Sequence, residues 1–196
     1  WYLMDLFGRI PIITTSKTSL SQLQQMPRSQ IFKFVCTELQ QVCPNLHHEN
    51  SARPGDYYGR VTYHVACFVL AKLMLNAEVY LDNNWTDGDH PDGSALTISV
   101  DGKTMNAWEA TIYYCDQLEN ADYELEELYS SNFEVHNENS NENIWVIPMD
   151  KDLYYNEMQY FFRSWHYRHA AAYGFTGENG ACATKRTLEL FKYCTW

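Results

Sequence analysis

The chain has 196 residues, enough to bury one sizeable hydrophobic core, and we expect it to be a single piece of a larger domain. Its 25 acidic against 14 basic side chains give a formal net charge of −11, which argues against nucleic acid or an anionic membrane surface as the partner. The surplus of tyrosine and tryptophan suits ring stacking on sugars or other ligands.

The first 42 residues predict two helices joined by a surface loop. Residues 1–7 have the pattern of a helix end that Gly8 stops, and the Ser/Thr/Gln-rich residues 14–27 predict the loop. A second helix is predicted over residues 28–42. Its apolar stripe consists of Ile31, Phe34, Val35, Leu39 and Val42.

The stretch from 58 to 82 predicts one long helix that is buried on most sides. Helix-forming residues fill it, and after Gly59 no proline or further glycine interrupts it. Its few polar residues, among them Arg60, His64 and Glu78, fall close together on one face at about 100° per residue. Charged side chains break every window that is long enough for a membrane span.

A glycine- and aspartate-rich segment follows at residues 83–105. Within it, the turn formers Asp101 and Gly102 between two short extended runs predict a β-hairpin. Asn106 and Glu109 then form the pattern of a capping box that opens another helix. We expect the apolar face of that helix to carry Trp108, Ile112, Cys115 and Leu118.

Candidate metal ligands are few. Asp87, Asp89 and Asp92 offer carboxylate oxygens at a spacing that can hold calcium, although the EF-hand pattern is absent and the same residues form ordinary flexible turns. His47 and His48 lie in a polar loop, where we expect no ligand role. No other cofactor is indicated.

The remaining titratable residues favour no catalytic site. The acidic run at residues 119–127 has the pattern of a hydrated edge, and a glycosidase needs two facing carboxyl groups of which one has a raised pKa. The six cysteines lack metal-ligand spacing, and we expect most to be buried free thiols. Cys67 and Cys115 are predicted on apolar helix faces.

The residues from Tyr58 to Tyr80 resemble the signature helix of SusD-like (RagB-like) proteins, which are glycan- or nutrient-binding lipoproteins of the bacterial outer membrane. The shared residues are Tyr58, Gly59, Arg60, Val61, Thr62, Ala66, Leu70, Ala71, Lys72, Leu73, Leu75, Asn76, Ala77, Glu78, Val79 and Tyr80. Three further segments, LFGRIP, NENIW and NGACAT, are similar to family motifs and occur in the family's order.

The resemblance implies a mostly α fold of tetratricopeptide-like helical pairs with an irregular, loop-rich face and short β-hairpins. Residues 1–82 are then the helical-repeat core, 83–105 a loop and hairpin insertion, and 106–196 a helix with an irregular, aromatic-rich ligand-side segment. The 34-residue repeat consensus itself is not visible in the sequence.

The function implied is non-catalytic capture of an oligosaccharide and its delivery to a TonB-dependent, SusC-like transporter at the extracellular face of the outer membrane. A lipid anchor would lie in the parent protein, since the chain opens on Trp1 rather than Met and we expect it to be a middle section. The alternatives are a helical-repeat scaffold for a protein partner, a peptide-nutrient binder, and a polysaccharide-degrading enzyme.

The ligand contacts are expected in the aromatic last third of the chain. Rings of Trp and Tyr can stack on the C–H face of a sugar while polar side chains bond its hydroxyls. The alternative is that these rings fill the interface between helices and loops. The candidate ligand-binding residues are Tyr154, Tyr155, Trp165, Tyr167, Tyr173 and Asn179.

Overall fold

The computed structural model describes residues 1–121, 123–149, 167–174, 176–177 and 184–190. The chain divides into two compact units, Trp1–Ile147 and Pro148–Trp196, which we describe separately. The predicted helix-rich fold is confirmed, and the described part also contains one small antiparallel sheet of two strands. The division of the chain at 82 and 105 into a core, an insertion and a ligand-side segment stays a prediction.

The regular elements follow the order helix, helix, two helices in tandem, hairpin, helix in the first unit. They are α1 (Tyr2–Phe7), α2 (Arg28–Val42), α3 (Tyr63–Leu75), α4 (Ala77–Leu81), β1 (Ile98–Val100), β2 (Lys103–Met105) and α5 (Ala107–Glu119). Short 3-10 turns lie at Leu20–Gln22, Cys43–Asn45 and Tyr129–Phe133.

The first two helices begin and end close to the predicted residues. Gly8 ends α1 with a positive φ of 68°, a conformation that glycine adopts without a side-chain clash. In α2 the buried side chains are Ile31, Phe32 and Cys36. Of the predicted stripe, Ile31 is buried and Val35 and Leu39 pack half-buried against the core, whereas Val42 is exposed at the end of the helix.

The single long helix predicted from 58 to 82 is wrong in two respects. It starts only at Tyr63, so exposed Arg60 lies in the preceding loop rather than on a helix face with His64. It is also interrupted at Asn76, which separates α3 from α4. The side-chain amide of Asn76 donates to the Lys72 carbonyl at 2.9 Å, a local bond that competes with the helical ladder.

The central part of α3 is the best buried element of the first unit. Leu70, Leu73 and Met74 have no exposed surface, and α3 packs most extensively against α5. Helix α2 covers another side of α3 and also contacts α4. This burial confirms the expectation that the stretch is buried on most sides.

The hairpin and the capping box are confirmed. Strands β1 and β2 pair in register with Ile98 opposite Met105, and Asp101 turns the chain with a positive φ of 48°. At the start of α5 the Asn106 side chain accepts the Glu109 N–H at 2.9 Å, and the Glu109 carboxylate accepts the Asn106 N–H.

The predicted apolar face of α5 is confirmed only in part, because Trp108 packs half-buried against the core and Leu118 is half-buried. The buried residues of this helix are Ala107, Ala110 and Tyr114, whereas Ile112 and Cys115 are exposed. Small alanines face α3 because they allow the two helices to approach closely, a preference that a count of large apolar residues misses.

The cysteine prediction holds for three residues. Cys36, Cys43 and Cys67 are buried free thiols, and the Cys43 and Cys67 sulfur atoms are 4.0 Å apart. Cys115 is also a free thiol but is exposed, which corrects its predicted place on an apolar face.

The second unit is described only in short stretches. They contain α6 (Tyr167–Ala172) and α7 (Lys185–Leu190), and the Thr184 hydroxyl caps α7 by accepting the Thr187 N–H at 3.1 Å. Within the described ranges of both units, no helix has the length and apolarity that crossing a bilayer requires.

Candidate functional site

A group of imidazole and phenol rings lies where the loop between α2 and α3 meets the start of α3. We call it the histidine–tyrosine cluster, made of His47, His48, Tyr57, Tyr63 and His64. The loop is closed by a backbone bond from the Tyr63 N–H to the His47 carbonyl at 2.8 Å. This bond brings residues 47 and 48 next to the first turn of α3.

The rings of the cluster form one stacked pair and one tilted pair. His48 lies on Tyr63 with centroids 4.2 Å apart and planes 23° from parallel. His47 lies 4.4 Å from the Tyr57 ring and shares a 2.8 Å hydrogen bond with its hydroxyl. His64 meets His48 edge-on at 5.7 Å. The arrangement fixes flat ring faces with polar edges, the combination that aromatic side chains offer to amphipathic ligands.

An open cavity of about 460 Å³ adjoins the cluster and is lined by residues 44–49. This volume falls in the range of about 300–1,000 Å³ that is usual for small-molecule sites. His47 and His48 belong to both the cavity wall and the ring pairs. The cavity is therefore a place where a ligand can reach a ring and a hydrogen-bonding group together.

The environment of the cluster favours the uncharged forms of two members, His64 and Tyr63, and of one neighbour, Tyr123. Burial lowers the pKa of His64 below its ordinary value of 6.5, and His48 lowers it further. Burial likewise raises the pKa of Tyr63 and of Tyr123, whose ring packs edge-on against His64 at 5.7 Å. An uncharged polar ligand suits these groups better than an ion.

Buried polar atoms without a partner lie in and beside the cluster. Within the described residues, the Thr62 hydroxyl, the His64 Nδ1 and the Tyr123 hydroxyl are buried and make no hydrogen bond. A buried polar group without a partner costs free energy, so each of these atoms has an unmet capacity for a hydrogen bond.

The segment that follows α5 supports the loop from the other side. The Trp145 indole N–H donates to the Gly59 carbonyl at 3.0 Å, and Arg53 donates to the Asn141 side chain. The Ser51 hydroxyl donates to the Ile144 carbonyl at 3.4 Å. These bonds tie the NENIW segment to the loop that carries Tyr57.

Most of the predicted ligand residues are not tested by these contacts. Tyr154, Tyr155, Trp165 and Asn179 lie outside the described residues. Tyr167 opens α6, and Tyr173 follows that helix with 73% of its surface exposed. The predicted aromatic ligand site therefore stays a prediction.

Two of the three carboxylates of the candidate calcium loop bond to the loop's own backbone. Asp87 accepts the Asp89 N–H at 3.0 Å, and Asp92 accepts the Ser94 N–H at 2.8 Å. In the described ranges, no three His, Cys, Asp or Glu side chains come together as metal ligands. The structure thus arranges Asp87 and Asp92 as turn-forming side chains.

Sequence reasoning missed the histidine–tyrosine cluster. It treated His47 and His48 only as residues of a polar loop, although aromatic residues follow at positions 57, 58 and 63. The ring contacts form only because the loop closes from His47 back to Tyr63, and no local sequence pattern predicts this closure. The spacing of His and Tyr was the only available indication.

Comparison with protein-family models, with curated proteins and with solved structures finds no match to this chain.

Proposed function

We propose that this chain is the central part of a SusD-like protein that captures an oligosaccharide at the cell surface without catalysing a reaction. The observation that carries the proposal is the residue pattern from Tyr58 to Tyr80, together with LFGRIP, NENIW and NGACAT in the family's order. The captured glycan passes to a TonB-dependent, SusC-like transporter in the outer membrane. A lipid anchor in the parent protein holds it at the extracellular face.

The architecture proposed for the whole protein is a set of tetratricopeptide-like helical pairs with a loop-rich binding face. The extensive packing of α3 against α5, and of α2 against α3 and α4, supports this arrangement. The tandem break at Asn76 leaves the two helices of the signature stretch short, which is compatible with layered pairs.

The ligand class follows from the chemistry of the accessible rings. The histidine–tyrosine cluster offers stacked faces with polar edges beside an open cavity, and the neutral forms of His64 and Tyr63 suit an uncharged, hydroxyl-rich ligand. The net charge of −11 disfavours acidic glycans. We therefore propose a neutral oligosaccharide, and the aromatic residues of the second unit stay a separate set of candidate glycan contacts.

The test is binding by the full-length parent protein to a broad glycan array, followed by calorimetry on the glycans that bind. We expect saturable binding of neutral oligosaccharides and no release of shorter products during prolonged incubation. Absence of binding across the whole set contradicts the carbohydrate proposal and leaves a peptide nutrient. Product release indicates a degrading enzyme instead.

A second candidate function is a scaffold that binds a protein partner and no small ligand. Large apolar side chains are exposed along residues 125–147, with Leu125 at 85%, Val135 at 93% and Phe133 at 69%. Where such exposed apolar groups form one contiguous patch, they mark an interaction surface. On this alternative, Leu125→Asp with Val135→Asp abolishes complex formation with the transporter, whereas Tyr155→Ala and Trp165→Ala leave uptake unchanged.

A further inference from the structure

A second exposed ring stack lies in the loop after α4, which we call the Trp85 loop and define as residues 82–93. The Trp85 side chain is 60% exposed, and its ring lies on that of His90 with centroids 4.3 Å apart and planes 27° from parallel. The loop belongs to the first unit, and none of its residues takes part in the histidine–tyrosine cluster.

The stack is held in place by a buried carboxylate. Asp82 Oδ2 lies 2.9 Å from His90 Nδ1, and the Asp82 side chain is only 2% exposed. The other carboxylate oxygen accepts the Asn84 N–H at 2.7 Å. His90 is therefore fixed by a partner that cannot move into solvent, and it supports the indole from one side.

The first two residues of the loop, Asp82 and Asn83, are hydrogen-bonded to α2. The Arg28 guanidinium donates to the Asp82 carbonyl at 2.8 Å. The Asn83 side chain donates to the Ser29 hydroxyl at 2.8 Å and accepts the Ser29 N–H at 3.3 Å. These bonds link the loop to a long helix, so the position of Trp85 does not depend on the exposed residues at the loop tip.

Most of the Trp85 surface stays exposed among the described residues although His90 stacks on its ring. His90 covers one face, and in the described part of the chain the Trp85 indole N–H donates no hydrogen bond. A single exposed tryptophan needs no explanation, since isolated apolar residues are common on surfaces. A tryptophan that a fixed neighbour holds flat towards solvent is different, because the arrangement displays the ring without burying it.

The groups around the indole define the ligand chemistry. Asn84, Thr86 and Asp87 are exposed in the same turn, and the Asp89 carboxylate accepts no hydrogen bond from the described residues. Carboxylates and amides bond sugar hydroxyls, while the indole face receives the C–H groups of the ring. The acidic side chains repel phosphates, sulfates and uronic acids.

We propose that the Trp85–His90 stack is a platform for one residue of a neutral oligosaccharide, with the exposed indole against a pyranose ring. The inference rests on the proposed function, because it names an additional contact of a glycan-binding protein. It differs from that proposal because it names Trp85, which lies outside the histidine–tyrosine cluster.

The test compares Trp85→Ala with the unsubstituted full-length protein by calorimetry, using the neutral oligosaccharide that binds best on the array. We expect the Kd to rise by about tenfold, the size of one stacking interaction of about 1.4 kcal/mol. Trp85→Phe keeps a smaller flat ring and is expected to recover part of the affinity. Tyr129→Ala removes another exposed ring, 72% exposed, and serves as the matched control with unchanged affinity.

A second readout reports the contact directly. In ¹H–¹⁵N spectra the indole N–H signal of Trp85 is the one missing from Trp85→Phe, and it is expected to shift as the sugar is added. Equal unfolding temperatures of Trp85→Ala and the unsubstituted protein show that the variant is folded, as expected for an exposed ring.

The outcomes separate the two proposals. Glycan binding that Trp85→Ala leaves unchanged, with no shift of the Trp85 signal, overturns the platform and leaves the glycan-binding function intact. No binding of any neutral glycan overturns both. If Trp85→Ala weakens only the binding of a lysine-rich peptide, the ring serves a cation–π contact and the sugar assignment is wrong.

Discussion

Helix α3 and the Trp85 loop fix their large side chains by different means. In α3, Leu70 and Leu73 have no exposed surface and are surrounded by apolar neighbours from α2 and α5. In the loop, Trp85 remains 60% exposed and rests on His90, which is bonded to Asp82. The helix thus depends on burial of apolar area, and the loop depends on a short chain of hydrogen bonds.

This difference predicts different consequences of substitution. Apolar burial contributes roughly in proportion to the area removed from water, so truncation in α3 costs stability. An exposed ring contributes little to the free energy of unfolding, so its loss affects ligand binding instead. Stability and binding should therefore be lost by different sets of substitutions.

The largest expected effect is that of Leu70→Ala. Leu70 is fully buried in the core of the first unit, and its truncation leaves a cavity that rigid helices fill only partly. We expect a loss of about 2–5 kcal/mol in the free energy of unfolding, measured by urea denaturation.

The matched control is Leu75→Ala, one turn later on the same helix. Leu75 is 58% exposed, so its truncation is expected to change stability by no more than about 0.5 kcal/mol. Equal losses for the two variants would show that α3 is not packed as described.

An intermediate loss of stability is expected at Gly93, where the Trp85 loop packs against the Trp108 ring. Gly93 ends the loop, and a Cβ atom there would lie 2.4 Å from the Trp108 ring. Its N–H also donates to the Glu78 carboxylate at 3.0 Å, and its carbonyl accepts the Ala107 N–H at 3.0 Å. Gly93→Ala forces these groups apart, and we expect a cost of about 1–3 kcal/mol by thermal or urea unfolding.

Gly55→Ala is the comparison for this substitution. A Cβ atom at Gly55 meets no atom within 4 Å, so the same chemical change is expected to be close to neutral there. A neutral result at both glycines would show that the Trp108 ring shifts at little energetic cost and that the end of the loop is not tightly packed.

The sequence allowed much of the fold to be predicted, and the errors have local causes. Patterns that act within one turn were correct: the Gly8 stop, the hairpin turn at Asp101, and the Asn106–Glu109 capping box. The helix break at Asn76 was not predicted, because helix-forming residues surround it and its side-chain bond to the Lys72 carbonyl produces no periodic pattern. The buried face of α5 was predicted only in part, because its buried residues include the small Ala107 and Ala110, which a search for large apolar residues overlooks.

The candidate site was much less predictable than the fold. Stacking of His48 on Tyr63 requires the loop to return to α3, and stacking of Trp85 on His90 requires Asp82 to be buried at the end of α4. Both depend on tertiary contacts between residues whose spacing follows neither a helical nor a strand period. The aspartates of the same loop drew attention to calcium, whereas Asp87 and Asp92 bond to backbone N–H groups.

The smallest expected effects are on the pH dependence of stability, and they separate α3 from the Trp85 loop by pH range. Burial on α3 lowers the pKa of His64 below 6.5, so the unfolded chain takes up this proton before the folded protein does. Stability is then lost as the pH falls from about 6.5 through the lowered pKa. His64→Gln removes this titration, and urea unfolding of that variant between pH 7 and 5 is expected to show a flatter dependence.

Asp82 acts in a lower and separate range. Its hydrogen bond with His90 holds the pKa of the carboxyl below 3.8, so the stability it contributes is fully present above that value. It is lost as the pH falls through the lowered pKa, because the folded carboxylate resists protonation. Asp92, whose pKa Ser94 lowers, titrates in the same range, so Asp82→Asn is expected to reduce the acid loss rather than abolish it. If His64→Gln changed the low range, the two regions would be coupled and the contrast between them would fail.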